Sequence, residues 1–139
     1  MEQKKASFVY MVKCLDDSLY TGITKDVRQR MYDHYFKTEK GAKYTRSRQI
    51  VRIMMVWEAV SYSSAARLEY AIKHIQRKDK LKIIKEPEAE VKKLLPHLAE
   101  ESYVPRREYI MDITDLLGIN DHADGQKVLK NIDKDGGIC

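Results

Sequence analysis

The sequence predicts an α+β fold, a small antiparallel three-stranded sheet packed by helices with a helical C-terminal extension, and three features point to it. Two short runs rich in β-branched and aromatic residues, 8–14 and 19–24, flank a turn cluster. A third run spans 50–60, and the segments between and after these strands repeat their apolar residues at helical spacing. The order β-β-α-β-α then places helices against one antiparallel sheet. At 139 residues the chain suits one compact domain, or one domain with an appendage.

Residues 8–14, Phe-Val-Tyr-Met-Val-Lys-Cys, read as a buried strand. Leu15-Asp16-Asp17-Ser18 is the turn, and Leu19-Tyr20-Thr21-Gly22-Ile23-Thr24 returns as the second strand of a hairpin. Gly22 inside it signals a bulge or a close backbone approach. Asp26 is a helix cap with Gln29 as its capping-box partner, and Val27, Met31 and Tyr35 give that helix a buried stripe. Residues 38–48 are polar and basic and read as a loop. Ile50 to Val60 is the third strand. Ser61 to Ser64 offer caps for a second helix whose inner face is Ala65, Leu68, Ile72 and Ile75, and a short helix follows over 78–85.

Beyond Glu86-Pro87 the texture changes. Val91, Leu94, Leu95 and Leu98 are spaced for an amphipathic helix, Pro105 interrupts the chain, and helices are expected over 109–117 and 124–132. The charge changes at the same place. Residues 1–85 hold 19 Lys and Arg against 9 Asp and Glu, a net of +10; residues 86–139 hold 7 against 12, a net of −5. We therefore divide the chain into 1–85 and an acidic extension, 86–139. So positive a field over a short domain favours a polyanion, because phosphates release counterions to lysines and arginines, although a solvated basic surface has the same composition.

No apolar run approaches the roughly 20 residues that span a bilayer. No signal-peptide pattern opens the chain, so a cytoplasmic protein without membrane contact is the expectation. The two cysteines, Cys14 and Cys139, have neither the spacing of a zinc site nor the pattern of a disulfide framework.

Phe8-Val9-Tyr10, then Tyr20-Thr21-Gly22, then Arg30, His34 and Glu69, resemble the GIY-YIG nuclease superfamily, most closely its small stand-alone bacterial members. The basic segment Lys43-Tyr44-Thr45-Arg46 is similar too. The resemblance covers residues 8 to about 85. Phe8 stands where the name-giving glycine stands, and no asparagine follows Glu69 until Asn120.

The resemblance implies a metal-dependent DNA endonuclease, acting on single-stranded or structured DNA in repair or processing. Tyr10 is then the general base or the group that positions water, and Tyr20 orders the site from the neighbouring strand. Arg30 contacts the scissile phosphate, His34 relays protons or touches phosphate, and Glu69 holds the metal, Mg²⁺ or Mn²⁺. One carboxylate suffices for an ion that keeps most of its waters. A phenol near pKa 10 is a poor base at neutral pH, so a neighbouring cation is expected to depress Tyr10.

Taken singly, each residue has a plainer reading. Tyr10 and Tyr20 are ordinary strand aromatics, Arg30 and His34 a solvated helix edge, and Glu69 a boundary carboxylate. Lys43, Tyr44 and Arg46 suit phosphate contact and base stacking, or form a basic loop. Lys73 touches DNA or pairs with Glu69 at i, i+4. The alternative function is a non-catalytic nucleic-acid-binding module whose acidic extension binds a partner protein. That extension, through its 91/94/95/98 stripe, either folds back over the basic face or serves as a cap or dimer arm.

Overall fold

The computed structural model of the protein describes residues 6–37, 48–121 and 127–129, with 120, 121 and 127–129 described by backbone alone. Its centre is a four-stranded antiparallel sheet of order β2-β1-β3-β4, built from β1 (Ser7–Cys14), β2 (Leu19–Thr24), β3 (Ile50–Ala59) and β4 (Tyr103–Pro105). β1 lies between β2 and β3 and is covered on both faces, which is why it reads as a nearly continuous apolar run. The β1–β3 ladder shifts register twice. Met11 faces Met55 while Val12 faces Ile53, and Lys13 faces Arg52 while Cys14 faces Ile50, which leaves Met54 and Val51 as extra residues on β3.

Helix α1 (Val27–Tyr35) starts at Asp26, whose carboxylate accepts from the Gln29 backbone N–H at 3.0 Å. The reciprocal arm of the expected capping box is not made. Gln29 Nε2 donates to Asp33 instead, and the Asp26 N–H is satisfied by Thr24 Oγ1. Helix α2 (Tyr62–Lys73) is capped by Ser61, and α3 (Arg77–Lys85) follows after a short turn. Ile75, expected on α2's inner face, lies beyond its end, partly buried against the same core.

The C-terminal stretch differs most from expectation. The helix expected through Leu98 is α4 (Ala89–Leu94) alone; Pro96 has no N–H to continue it and opens a 3₁₀ turn, Pro96–Leu98. The sheet has four strands where three were expected, because Tyr103–Pro105 pairs with the free edge of β3, a place where proline is tolerated. The helix expected over 109–117 is a 3₁₀ turn, Arg107–Tyr109, then α5 (Ile113–Leu117), which ends at Gly118 with φ 66°. The helix expected over 124–132 is contradicted at Lys127–Leu129, a strand (β6) paired with β5 (Ile119–Asp121); its other residues lie outside the described ones.

Two cores result, one on each face of the sheet. Val9, Met11, Met55 and Trp57 meet α2, α3 and the buried Val91, Leu95 and Leu98. Tyr10, Val12, Ile53 and Val56 meet α1 and the buried Ile113, Leu117 and Ile119. The stripe of the acidic segment is therefore spent on this chain's own core, and residues on either side of position 86 share one sheet. Among the described residues no helix is long and apolar enough to cross a membrane.

Candidate active site

The site grows from β-sheet register. Tyr10 on β1 faces Gly22 on β2, and Val12 faces Tyr20, so both tyrosines project from the same face of the sheet as α1. The Tyr10 ring passes directly over Gly22. A β-carbon there would lie inside contact distance of the phenol oxygen and 2.5 Å from Cζ. Gly22 is thus the close approach that its position in a strand signals, and the β1–β2 ladder has no bulge. Gly22→Ala is expected to displace the ring, cost about 1–3 kcal/mol of stability by overpacking, and disable the site. Denaturant melts with a cleavage assay check this; a variant with wild-type stability and rate would refute it.

Above the strands, α1 presents Arg30 and His34 one turn apart. His34 is fully buried and its Nε2 lies 2.7 Å from the Tyr10 hydroxyl. The rings of Tyr10, Tyr20 and His34 form a triangle, with centroids 6.3, 5.8 and 5.7 Å apart. Arg30 is half-buried beside them, and its charge acts on both Tyr10 and His34. On the flank of α2 nearest β2, Glu69 is partly exposed and its carboxylate accepts from Lys73 Nζ at 3.2 Å. That ammonium also stands 5.8 Å from the centroid of Tyr20. Five residues distant in sequence thus meet at one place. Lys73 takes the i, i+4 pairing, while Lys43, Tyr44 and Arg46 lie outside the described residues.

Electrostatics reverse one expectation. Tyr10 is held well above the ordinary phenol range, first by burial and then by Tyr20 and the charge of Glu69. Arg30 pulls the other way through a hydrogen bond and its charge, and desolvation wins. His34 is pulled down to about 4, by burial first and by Arg30 second, with Asp33 opposing. At neutral pH the dyad is therefore a neutral phenol against a neutral imidazole.

The depressed histidine has a consequence for folding. Between its ordinary 6.5 and about 4, the unfolded chain binds a proton there and the folded chain does not. Stability therefore falls as pH drops through that window, by about 3 kcal/mol from this group. Urea melts at pH 7, 5.5 and 4 are expected to show the loss, and His34→Gln, which has no proton to gain there, to show a shallower one. Parallel profiles would remove His34 as the cause.

The donor set limits the metals that fit. Among the described residues no three His, Cys, Asp or Glu side chains cluster. A single half-open carboxylate suits a hard cation that keeps its water shell and takes further oxygens from a phosphate, and does not suit a closed zinc site.

Sequence reading did not single out the partners that steady this arrangement. Phe8, on the same face as Tyr10, is held edge-on by Tyr109 with centroids 6.3 Å apart. Its cross-strand neighbour Glu58 is bound by Arg106. Both partners come from the C-terminal segment, and nothing in the local pattern there marks them.

The chain is similar in sequence to several known proteins. The chain is 42% identical over 83 residues to a UPF0213 protein of Oceanobacillus iheyensis, covering 60% of this chain and 94% of that one. It is 47% identical over 79 residues to a UPF0213 protein of Staphylococcus epidermidis, covering 57% and 94%. A solution NMR structure of a UPF0213 protein from Bacillus halodurans is 40% identical, covers 58% of this chain and 83% of its own, and has a TM-score of 0.39. Residues 6–82, which hold Tyr10, Tyr20, Arg30, His34 and Glu69, match the family model described as the GIY-YIG catalytic domain, and the chain belongs to that family.

Proposed function

We propose that the protein is a metal-dependent DNA endonuclease that hydrolyses phosphodiester bonds in single-stranded or structured DNA, in repair or DNA processing. The observation that carries this is the meeting of a buried, neutral Tyr10–His34 dyad with Arg30 and Glu69 at one edge of the sheet. Hydrolysis requires a deprotonated water, neutralisation of the five-coordinate phosphorus and a stabilised leaving oxygen.

Tyr10 is a poor phenolate and a good relay. Its O–H donates to His34 Nε2 while an oxygen lone pair accepts the proton of the attacking water. As the water loses its proton to Tyr10, the phenol passes its own to His34. The imidazole, neutral at rest, has room for that proton. Tyr20 walls the dyad on the β2 side. Arg30 offers a planar guanidinium to the phosphate oxygens, a geometry that a lysine does not reproduce. Glu69 would hold Mg²⁺ or Mn²⁺, which when bound offsets the charge building on the phosphate and the departing oxygen. Lys73 pairs with that carboxylate meanwhile.

Incubation with labelled single-stranded, duplex and branched DNA, with Mg²⁺ or Mn²⁺ and with EDTA, tests the reading. Cleavage that EDTA abolishes is expected. Tyr10→Phe removes only the relaying oxygen, so the rate should fall by about 10²–10⁴-fold with the fold retained. Undiminished cleavage by that variant would place water activation elsewhere, and DNA binding without cleavage under any metal would leave a binding module.

A further inference from the structure

Next to Glu69 is a feature that the reaction leaves unused. Tyr70 stands on the outer side of α2 with 67% of its surface exposed, well outside the core that Ala65, Leu68 and Ile72 share. Its ring is not loose. The His74 ring stacks on it, with centroids 4.0 Å apart and planes 28° from parallel. His74 is itself fixed, because its Nδ1–H donates to the Tyr70 carbonyl at 2.6 Å and so satisfies a carbonyl in the last turn of the helix. That hydrogen bond accounts for His74. It does not account for the exposed phenol ring of Tyr70, the residue that follows Glu69 in the chain, stacked against His74.

The chain around it is basic. Glu69 precedes Tyr70, and Lys73, the ammonium that spans Glu69 and Tyr20, precedes His74. From there to the end of α3 the chain carries Lys73, Arg77, Lys78, Lys80, Lys82 and Lys85 against Asp79 alone. Arg77 is tied to Asp17 in the β1–β2 turn. A pre-stacked aromatic pair bordered by cations is the combination that holds unpaired nucleotides: cations track the phosphates, and a base lies on the open ring at little cost in ordering.

We propose that the Tyr70–His74 stack is a platform for an unpaired nucleobase flanking the scissile phosphate, and that it selects strands whose bases are free to stack. This rests on the endonuclease reading of the neighbouring site, and adds to it a residue that touches the base and not the phosphate.

The discriminating ligand is a strand without bases. Full-length protein carrying Glu69→Gln is titrated with a fluorescent oligothymidylate of about 15 nucleotides, and with an abasic strand of equal length, in EDTA. Adding Tyr70→Ala is expected to weaken the oligothymidylate about tenfold and leave the abasic strand unchanged, while Tyr70→Phe retains wild-type affinity because it keeps the ring. Equal weakening on both strands, or none on either, overturns the platform. Cleavage by the otherwise wild-type chain separates the two readings. If that protein cuts DNA and Tyr70→Ala matches its KM on single strands, only the platform fails. If it neither binds nor cuts any DNA, both fail.

Discussion

Replacing Glu69 by glutamine is expected to abolish cleavage while DNA affinity in EDTA stays within about twofold of wild type. The amide has nearly the shape of the carboxylate and lacks its charge, and among the described residues no group of three or more His, Cys, Asp or Glu side chains is placed to take over a cation. The loss should exceed the roughly 10²–10³-fold that follows removal of a single electrostatic donor, because the ion acts on the phosphate and the leaving oxygen together. The substitution also releases Lys73, which now pairs with Glu69 at 3.2 Å. A freed ammonium beside Tyr20 would hold a phosphate at least as well as before, so binding should not fall. Single-turnover cleavage with saturating Mg²⁺ or Mn²⁺, alongside titrations with the same oligonucleotide in EDTA, measures both quantities. Near-wild-type turnover would sink the metal assignment of Glu69. A parallel collapse of affinity would make Glu69 a structural residue instead.

What was legible in the sequence follows the length of its patterns. β1, β2, α1, β3, α2 and α3 each repeat their apolar residues often enough to display a period, and each was readable to within a few residues. β4 spans three residues and ends in proline, so it shows no alternation; only its pairing to β3 makes it a strand. The same holds for Lys127–Leu129, where three residues pair with Ile119–Asp121 and local spacing mimics a helix.

The five candidate residues could be named as a set because their order along the chain is distinctive, whereas their protonation was not legible. A cation beside a phenol argues for a lower pKa, and Arg30 does act in that direction on Tyr10. Burial under α1 acts more strongly, and burial is a property of packing that no local pattern displays. Gly22 marks the intermediate case: its place in a strand announces a close approach, while the ring that makes the approach is known only from the register.

Deleting residues 87–139 is expected to leave a fragment that aggregates or melts at least 10 °C lower, a shift of about 2 kcal/mol or more for a domain this size. The reasoning begins at Trp57. Its side chain is fully buried, and its indole N–H donates to the carbonyl of Pro87, the first residue removed. On that face the deletion also takes away Val91, Leu95 and Leu98; on the opposite face it removes Ile113, Leu117 and Ile119 from over Ile53 and Val56. Each apolar side chain of this size is worth about 1.5–3 kcal/mol when buried. The truncated chain no longer orders the deleted residues, which returns part of that sum. The exposed surfaces remain, and β3 becomes a bare edge once β4 is gone. The UPF0213 proteins of Oceanobacillus iheyensis and Staphylococcus epidermidis match this chain over 94% of their own lengths and over 60% and 57% of its length, so most of the extension has no counterpart in those matches. Here, however, Trp57 and the β3 edge are completed from residues 87–119. Size-exclusion chromatography and thermal melts of the fragment decide the matter. A monomer with an unchanged melt would show that the two cores close without the extension. If that monomer also bound DNA more tightly, with affinity falling more steeply as salt rises, the net −5 of the extension would act as a shield over the basic domain.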